Sequence, residues 1–365
     1  GDTINIAVGT YEPTSVTINK SLTLQGAGMN ETILDGGGTE RIINITTGPV
    51  TINDLAVENG THPNYSGGVS VTNSNITLNR VKIAHNTGFY GGGFNISNGT
   101  AILNDCDVAN NTGTYSGGGL YLFGTGSTSI TGSTISNNTD PRVGGIDASQ
   151  SGGLTLTNLT LAGNTGTENN SNGALRLFNS TAVITNSTIT DNHGINDAAV
   201  MLNNGTITFK NTIVAMNYDG VSIYDCRTPF GSFVSQGYNL KSQNTACGTN
   251  TTDLFSITPL LGPLQDNGGL TPTVGLLTGS PAIDGGPATD CSATDQRGFS
   301  RPKGTACDIG AVEFQPIGDL TKTSPADNAK DLSKSLTLEW GTSMDAVRYE
   351  YCYDTQDDNT CTWLD

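Results

Sequence analysis

The chain has 365 residues, with 48 Gly, 16 Lys plus Arg and 33 Asp plus Glu, which gives a formal net charge of -17. This charge argues against nucleic acids and anionic lipid surfaces as partners, because both bind proteins through Lys and Arg. No stretch approaches the roughly 20 apolar residues of a membrane-spanning helix. Abundant turn formers and scarce helix formers predict an all-β fold with many short strands.

The first 49 residues predict short opening coils, with strand-like segments INIAVGTY, VTINKSLTLQGAG and ETILDGGG. The sequence begins Gly1-Asp2-Thr3, without an initiating Met or a signal peptide, so we expect targeting signals to lie outside it. From Val50 to Asn217 one unit then recurs seven times, for example as ITLNRVKIAHN from Ile76. The first inward apolar residues of the units lie 25 to 28 residues apart: Ile52, Leu78, Leu103, Ile130, Leu156, Ile184 and Phe209. Such a period predicts one coil of a β-solenoid per unit.

Two corners are predicted within each unit. The apolar alternation slips by one residue at offset 2 from the first inward residue, which indicates a bend there. A second corner is expected at offset 8, where Asn or Gly recurs as Gly60, Asn86, Asn111, Asn138, Asn164, Asn192 and Asn217. These residue types suit a left-handed backbone, and their stacked amides can hydrogen-bond along the solenoid.

A third strand follows each unit, for example GGGFNI from Gly91 and GGGLYL from Gly117. Three short strands per coil, about 4.8 Å apart between coils, predict a rod of nine or ten turns and about 45 Å. The outward side chains of this third strand place Tyr121, Asp147 and Arg176 on successive coils. An aromatic ring beside a carboxylate and a guanidinium is the best candidate for a sugar-binding or catalytic site, and a plain surface ion pair is the alternative.

Other charged ladders are expected to be structural. Asp54, Arg80 and Asp105 follow one another at the offset 2 corner, and Lys82 is predicted to pair with Asp107 at offset 4.

The seven cysteines favour local disulfides. The simplest pairs are Cys226 with Cys247, Cys291 with Cys307, and Cys352 with Cys361, although spacing alone leaves other connectivities open. Such bridges would indicate an oxidising compartment. Cys106 falls on an inward position and is expected to stay a buried thiol.

Residues 1–225 resemble right-handed parallel β-helix proteins of the pectate-lyase-like superfamily, including bacterial surface proteins with polymorphic outer-membrane-type repeats. The segments that carry the resemblance are GTY, VTINKSLTLQGAG and the repeated GGG and ISNNT units. This likeness implies the fold and leaves lyase, hydrolase, adhesin and scaffold open.

Residues 226–315 resemble the C-terminal region of bacterial β-helix proteins called choice-of-anchor Q. The likeness rests on GYNLKS, PLLGPLQDNGGLTPTVGLLTGSPAIDGG and CSATDQRGFSRPKGTACDIGAVEF. In that family the region precedes surface-anchoring modules, which implies export and display. We expect it to cap the solenoid, because an open coil end exposes unpaired strand edges. Its charged residues are expected to form an ion-pair network rather than a catalytic cluster: Asp284, Asp295, Arg297, Arg301, Asp308 and Glu313.

Residues 316–365 resemble the first strands of a fibronectin type III or immunoglobulin-like β-sandwich, with Trp340 and Tyr349 to Tyr353 at core positions. No cofactor is expected. Calcium is an alternative at the acidic residues Asp354, Asp357 and Asp358, whose spacing matches no specific calcium loop.

We therefore expect a secreted or cell-surface structural or adhesive protein rather than an enzyme. Its partners would be a cell-surface glycan, a protein, or copies of itself assembled head to tail into a fibre or layer. The alternative is a secreted polysaccharide lyase or glycoside hydrolase acting on acidic polysaccharide through Tyr121, Asp147 and Arg176. Among many Asn-x-Ser/Thr sequences, Asn64 in HPNYS is the candidate glycosylation site.

Overall fold

The computed structural model describes residues 1–12, 15–242, 246–289 and 291–315, and four short strands between 322 and 364. All regular structure in these residues is β, and they contain no helix, hence none long and apolar enough to cross a membrane. The chain divides into two compact units, Gly1–Phe314 and Gln315–Asp365. Residues on both sides of the boundary predicted at 225 belong to the first unit.

The first unit is a parallel β-solenoid of about nine turns, in which each coil adds a rung to three ladders. Sheet 1 contains β1 (Asp2–Asn5), β4 (Leu22–Gln25), the first halves of β7 (Val50–Glu58) and β10 (Ile76–Ala84), β13 (Ala101–Asn104), β17 (Ser127–Thr131), β21 (Gly153–Thr157), and the second halves of β24 (Leu175–Thr185), β26 (Val200–Lys210) and β28 (Cys226–Ser235). Sheet 2 contains β2 (Gly9–Tyr11), β5 (Thr32–Asp35), the second halves of β7 and β10, β14 (Asp107–Ala109), β18 (Thr134–Ser136), β22 (Thr160–Ala162), β25 (Thr188–Thr190), β27 (Ile213–Ala215), β29 (Leu240–Lys241) and β30 (Leu254–Phe255). Sheet 3 contains β3 (Val16–Ile18), β6 (Ile43–Ile45), β9 (Val69–Thr72), β12 (Phe94–Ser97), β16 (Leu120–Phe123), β20 (Ile146–Ser149) and the first halves of β24, β26 and β28.

Between sheets 2 and 3 the structure adds a short sheet that the repeat did not predict. Its strands are β8 (Thr61–His62), β11 (Thr87–Tyr90), β15 (Thr112–Ser116), β19 (Thr139–Asp140) and β23 (Thr165–Gly166). Outside the coils, β31 (Leu261–Gln265) and β32 (Thr273–Leu276) form an antiparallel pair.

The core is a stack of apolar side chains inside the coils. All seven residues predicted to point inward at the start of each unit are fully buried, from Ile52 to Phe209. Burying each such side chain contributes about 1.5 to 3 kcal/mol. The parallel β-helix predicted from the sequence is therefore confirmed.

The corners explain the recurring polar residues. At offset 2 all seven residues have positive φ, as predicted for a bend: Asp54, Arg80, Asp105, Gly132, Asn158, Asn186 and Asn211. At the second corner the left-handed residue is one position earlier than predicted, at Asn59, His85, Asn110, Asn137, Gly163, Asp191 and Met216. The residue that follows turns its side chain inward, and six of these are buried Asn residues whose amides hydrogen-bond from coil to coil.

Residues 256–314, here called the lateral segment, run back along the outer face of sheet 2. The hydroxyl of Thr134 donates to the carbonyl of Pro272, and the amide of Asn158 donates to the carbonyl of Thr294, 3.1 Å away. Further along, the backbone N–H of Ala311 donates to the hydroxyl of Thr188 at 3.0 Å. The sequence predicted that this region would cap the open end of the solenoid. The lateral segment instead lies against the side of the coils.

A second, smaller core fills the space beneath the lateral segment. It joins outward residues of sheet 2 to residues of the segment: Ile213, Ala215, Leu240, Leu276, Ala282, Ile309, Ala311 and Val312. An apolar outward position on sheet 2 is therefore the sequence signal of a covering layer.

One predicted ion pair is wrong. Lys82 pairs with Glu58 at 2.8 Å, not with Asp107, whose carboxylate is largely buried. The longer Glu58 side chain reaches the ammonium group from the neighbouring coil. Arg80 pairs with Asp54, as expected for that ladder.

Two of the predicted disulfides lie within the described residues. Cys226 is joined to Cys247 and Cys291 to Cys307, with Cα atoms 5.3 and 6.2 Å apart. Cys106 is a buried free thiol. The predicted Cys352–Cys361 pair lies outside the described residues.

The second unit shows two antiparallel strand pairs: β33 (Lys322–Ser324) with β34 (Glu339–Trp340), and β35 (Tyr351–Tyr353) with β36 (Thr362–Leu364). The calcium candidates Asp354, Asp357 and Asp358 and the side chains of the predicted sandwich core lie outside the described residues. The sandwich module stays a prediction.

Candidate functional site

The three outward residues predicted from the third strand do lie on neighbouring rungs of sheet 3. Tyr121 on β16 is paired in register with Asp147 on β20, and Asp147 is paired in register with Arg176 on β24. The register follows from the inward residues on either side, because successive side chains of a strand alternate between faces.

Asp147 and Arg176 form a bidentate ion pair. Nε of Arg176 donates to Oδ1 of Asp147 at 3.1 Å, and Nη2 donates to Oδ2 at 2.5 Å. The Ser116 hydroxyl also donates to Oδ2 and accepts from Nη2 of Arg176, 3.2 Å away. The Asp147 side chain is 0% exposed and that of Arg176 is 26% exposed. Burial lowers the pKa of Arg176, but the Asp147 carboxylate outweighs it and holds that pKa above its usual value.

A second buried carboxyl group, not predicted from the sequence, lies close by. Asp140 on β19 accepts hydrogen bonds through Oδ1 from the backbone N–H groups of Arg142 and Val143, at 2.6 and 3.0 Å. Its Oδ2 atom is buried and has no hydrogen-bond partner within the described structure. Burial raises the pKa of Asp140 to about 7, although the two backbone hydrogen bonds oppose the shift.

The space for the Asp140 side chain comes from a glycine on the preceding coil. Gly113 precedes Asp140 in the same column of the short sheet, and a Cβ at Gly113 would overlap Oδ2 of Asp140. The sequence signal for this site was an acidic residue that follows Gly88 and Gly113 and precedes Gly166 in one column of the short sheet.

Five aromatic rings form a continuous group beside these residues, here called the aromatic patch: Phe89, Tyr90, Tyr115, Tyr121 and Phe123. Phe89 and Tyr115 are stacked at 4.7 Å between ring centroids, and Tyr90 lies 4.7 Å from Tyr121. The guanidinium of Arg142 lies 4.0 Å from the centroid of the Tyr115 ring. Only Tyr121 was singled out from the sequence, because three of the rings belong to the unpredicted short sheet.

The charged groups of this site contact one another. Asp140 and Asp147 are both buried, and the Arg176 guanidinium is held by Asp147 and Ser116. Burial, with the nearby Asp147 carboxylate, raises the pKa of Tyr121 to about 12, so its phenol stays protonated at neutral pH. A general acid or base must reach the proton that it transfers. Tyr121, Asp147 and Arg176, the three residues predicted from the sequence, therefore lie together, and Asp147, the one carboxylate among them, is buried.

The charged residues predicted in the C-terminal region form a network within the lateral segment, in which all but Asp284 are largely buried. Arg301 pairs with Glu313 at 2.7 Å, and Arg297 pairs with Asp295 at 2.9 Å. Asp308 accepts from the backbone N–H of Asp284 at 2.7 Å. Buried ionic groups bound to one another in this way stabilise a loop conformation.

No group of three His, Cys, Asp or Glu side chains in the described residues is arranged to hold a metal ion. Asn64 lies exposed in the loop after β8, and the Ser66 of its Asn-x-Ser sequence is buried and donates to the carbonyl of Gly93 at 2.7 Å. Glycosylation of Asn64 stays a prediction.

Comparison with known proteins supports the fold. Residues 106–253 match the family model described as the right handed beta helix region. The fold is a right-handed parallel β-helix. No curated protein and no solved structure matches the chain. Within the matched region lie the short-sheet strands β15, β19 and β23, the Asp147–Arg176 pair and the first disulfide.

Proposed function

We propose that this β-helix is an extracellular or cell-surface adhesive protein that binds through its side rather than catalysing a reaction. The observation that carries the proposal is the pairing of Asp147 with Arg176 beside a partly exposed group of aromatic rings. Tyr121 precedes the ion pair in the same outward column of sheet 3, and all five rings are at least partly exposed to solvent. Exposed aromatic patches of this kind are characteristic of binding surfaces.

Two further features support export and display. The pairs Cys226–Cys247 and Cys291–Cys307 require an oxidising compartment to persist. The resemblance of residues 226–315 to the choice-of-anchor Q region implies attachment to a cell surface. Protease treatment of intact source cells tests this: we expect the protein to be digested while a cytosolic marker survives. Survival of both would contradict surface display.

The alternative, a lyase or hydrolase of acidic polysaccharides, would need Arg176 or a carboxylate to contact the substrate. A direct test is to incubate the full chain with polygalacturonate and alginate and measure unsaturated products and reducing ends. We expect neither to accumulate above the level of a heat-denatured sample. Turnover that disappears in Arg176→Ala would overturn the adhesive proposal.

A further inference from the structure

We infer that the aromatic patch is a binding site for an uncharged, extended polysaccharide. This inference rests on the proposed adhesive function and adds the site and the class of ligand. The patch joins two neighbouring coils, since Phe89 and Tyr90 belong to β11 whereas Tyr115 belongs to β15. Tyr121 and Phe123 extend it onto sheet 3.

Two pairs of rings in the patch are nearly parallel. The Phe89 and Tyr115 rings are inclined by only 13°, and the Tyr121 and Phe123 rings by only 2°. Phe123 is 36% exposed, and the four other rings are partly exposed. An aromatic ring offers a flat apolar face to the C–H side of a sugar ring. Rings needed only for the core would lie inside the coils, as Phe94 and Phe209 do.

The same residues offer hydrogen bonds to sugar hydroxyl groups. The hydroxyls of Tyr90, Tyr115 and Tyr121 make no hydrogen bond to any described part of the protein. Arg142 is exposed at the edge of the patch, with its guanidinium against the Tyr115 ring. A few polar groups around an apolar surface are the usual composition of a site for a small polar ligand.

The charges around the patch select against acidic polymers. Asp147 neutralises Arg176, which leaves Arg142 as the exposed cation that contacts a ring. The exposed Glu168 lies near it on the next coil, where its N–H donates to the carbonyl of Pro141 at 3.0 Å. With a net charge of -17 on the whole chain, a polyanion would be repelled. An uncharged polysaccharide meets no such barrier.

A line of exposed phenylalanines indicates a polymer rather than a single sugar. Phe123, Phe178 and Phe230 occupy the same outward column of sheet 3 and are 36%, 41% and 69% exposed. Small polar residues, Ser149 and Asn203, separate them on the intervening coils. Rings on alternate coils lie about 9.6 Å apart, since strands are about 4.8 Å apart. Such a line offers regularly spaced platforms to a chain of sugars along the solenoid.

The experiment is affinity electrophoresis of the full chain in native gels that contain xyloglucan, galactomannan, mixed-linkage glucan or polygalacturonate. We expect retardation by at least one of the three neutral polymers and none by polygalacturonate. Tyr115→Ala should weaken this binding at least tenfold. Tyr11→Ala is the matched control, because Tyr11 is an exposed tyrosine on β2 outside the patch, and it should bind as the wild type does.

Two more variants keep the test decisive. Arg142→Ala changes an exposed side chain, so it should fold normally and still weaken binding. Phe178→Ala should weaken binding of the polymer but leave binding of a matching disaccharide unchanged.

Failure to bind any neutral polymer, or an equal loss in Tyr11→Ala, would overturn the inference. Retardation by polygalacturonate alone would show that the ligand is an acidic polysaccharide and not an uncharged one. If beads coated with Tyr115→Ala still adhere to source cells as wild-type beads do, the site is wrong while the adhesive function stands. If wild-type beads do not adhere at all, the adhesive function itself fails.

Discussion

The side-chain amide of Asn138 donates a hydrogen bond to Oδ1 of Asn164 on the next coil, 2.9 Å away. The same Oδ1 accepts from the backbone N–H of Asn138 at 3.0 Å, and the Asn164 amide donates in turn to Asn192. Each buried Asn thus satisfies backbone groups that the corner would otherwise leave without partners. The ladder ends at Asp225, which accepts from Asn217.

Replacing Asn164 with Ala is expected to lower the free energy of unfolding by about 2 to 4 kcal/mol, because leaving one buried polar group without a partner costs about 1 to 3 kcal/mol. Asn138 and Ile135 are among the residues that lose a partner. Chemical denaturation measures the change. Asn169→Ala is the control, since Asn169 is exposed and outside the ladder. Equal stability of the two variants would show that the amide ladder is not stabilising.

The buried carboxyl group of Asp140 predicts a pH dependence of stability. Its pKa in the folded protein is about 7, above the ordinary value of 3.8, so the folded state binds more protons between these values. Stability from this group is therefore present at low pH and is lost as pH rises towards 7. Melting temperatures of wild type and Asp140→Asn should differ more at pH 8 than at pH 5, with Asn the more stable at pH 8.

Comparing the two proteins at each pH cancels the repulsion of the remaining charges and the effects of Asp107, Asp225 and Asp308, whose pKa values burial raises to about 6. A constant difference in melting temperature across this range would mean that Asp140 does not change its protonation there.

The lateral segment is expected to loosen when Gln296 is replaced by Leu. Its side chain donates to the carbonyl of Ser133 at 3.0 Å and accepts from the hydroxyl of Thr160 at 2.7 Å, so it joins the segment to two coils. Amide hydrogen exchange over residues 256–314 should speed up while exchange in sheet 1 stays unchanged. Lys303→Ala, an exposed position of the same segment, should leave both rates unaltered. Uniform acceleration over all coils would instead indicate global destabilisation.

Peptide mapping without reduction should recover the Cys226–Cys247 and Cys291–Cys307 bridges with Cys106 as a free thiol. Burial raises the pKa of Cys106 to about 12, so alkylation should require unfolding. The Cys352–Cys361 bridge stays a prediction that the same map tests. Any bridge that includes Cys106 would show that the coil register is wrong.

The parts of the fold that follow a strict period were predictable. Inward residues such as Leu78 and the bend at Arg80 recur in every coil, because each coil packs on a near copy of itself. The position of the left-handed residue at the second corner was not predictable, since its identity varies from Asn59 to His85 to Met216 while the next residue is Asn in six of the seven units. This recurring Asn is the residue whose side chain is buried, and the left-handed residue is the one before it.

The candidate site was only partly predictable for the same reason. Tyr121, Asp147 and Arg176 lie on a periodic strand and were placed on neighbouring rungs. Tyr115 and Asp140 lie in the connection after the Asn corner, where the strands are only two to five residues long and a recurring Thr-Gly pair is the only periodic signal. Contacts of the lateral segment, such as Gln296 with Thr160, join residues that are 136 positions apart and depend on tertiary packing.

The lateral segment also restricts how coils can be gained or lost. It contacts Gly132 at one end and Asn211 at the other. A coil duplicated between these two residues would increase the distance between the attachment points by about 4.8 Å, the spacing of neighbouring strands. A coil duplicated before Gly132 would lengthen the solenoid without altering those contacts. Duplication of a coil is therefore expected to be tolerated on the amino-terminal side and to destabilise the fold beneath the segment. The lateral segment thus fixes the number of coils between its two attachment points.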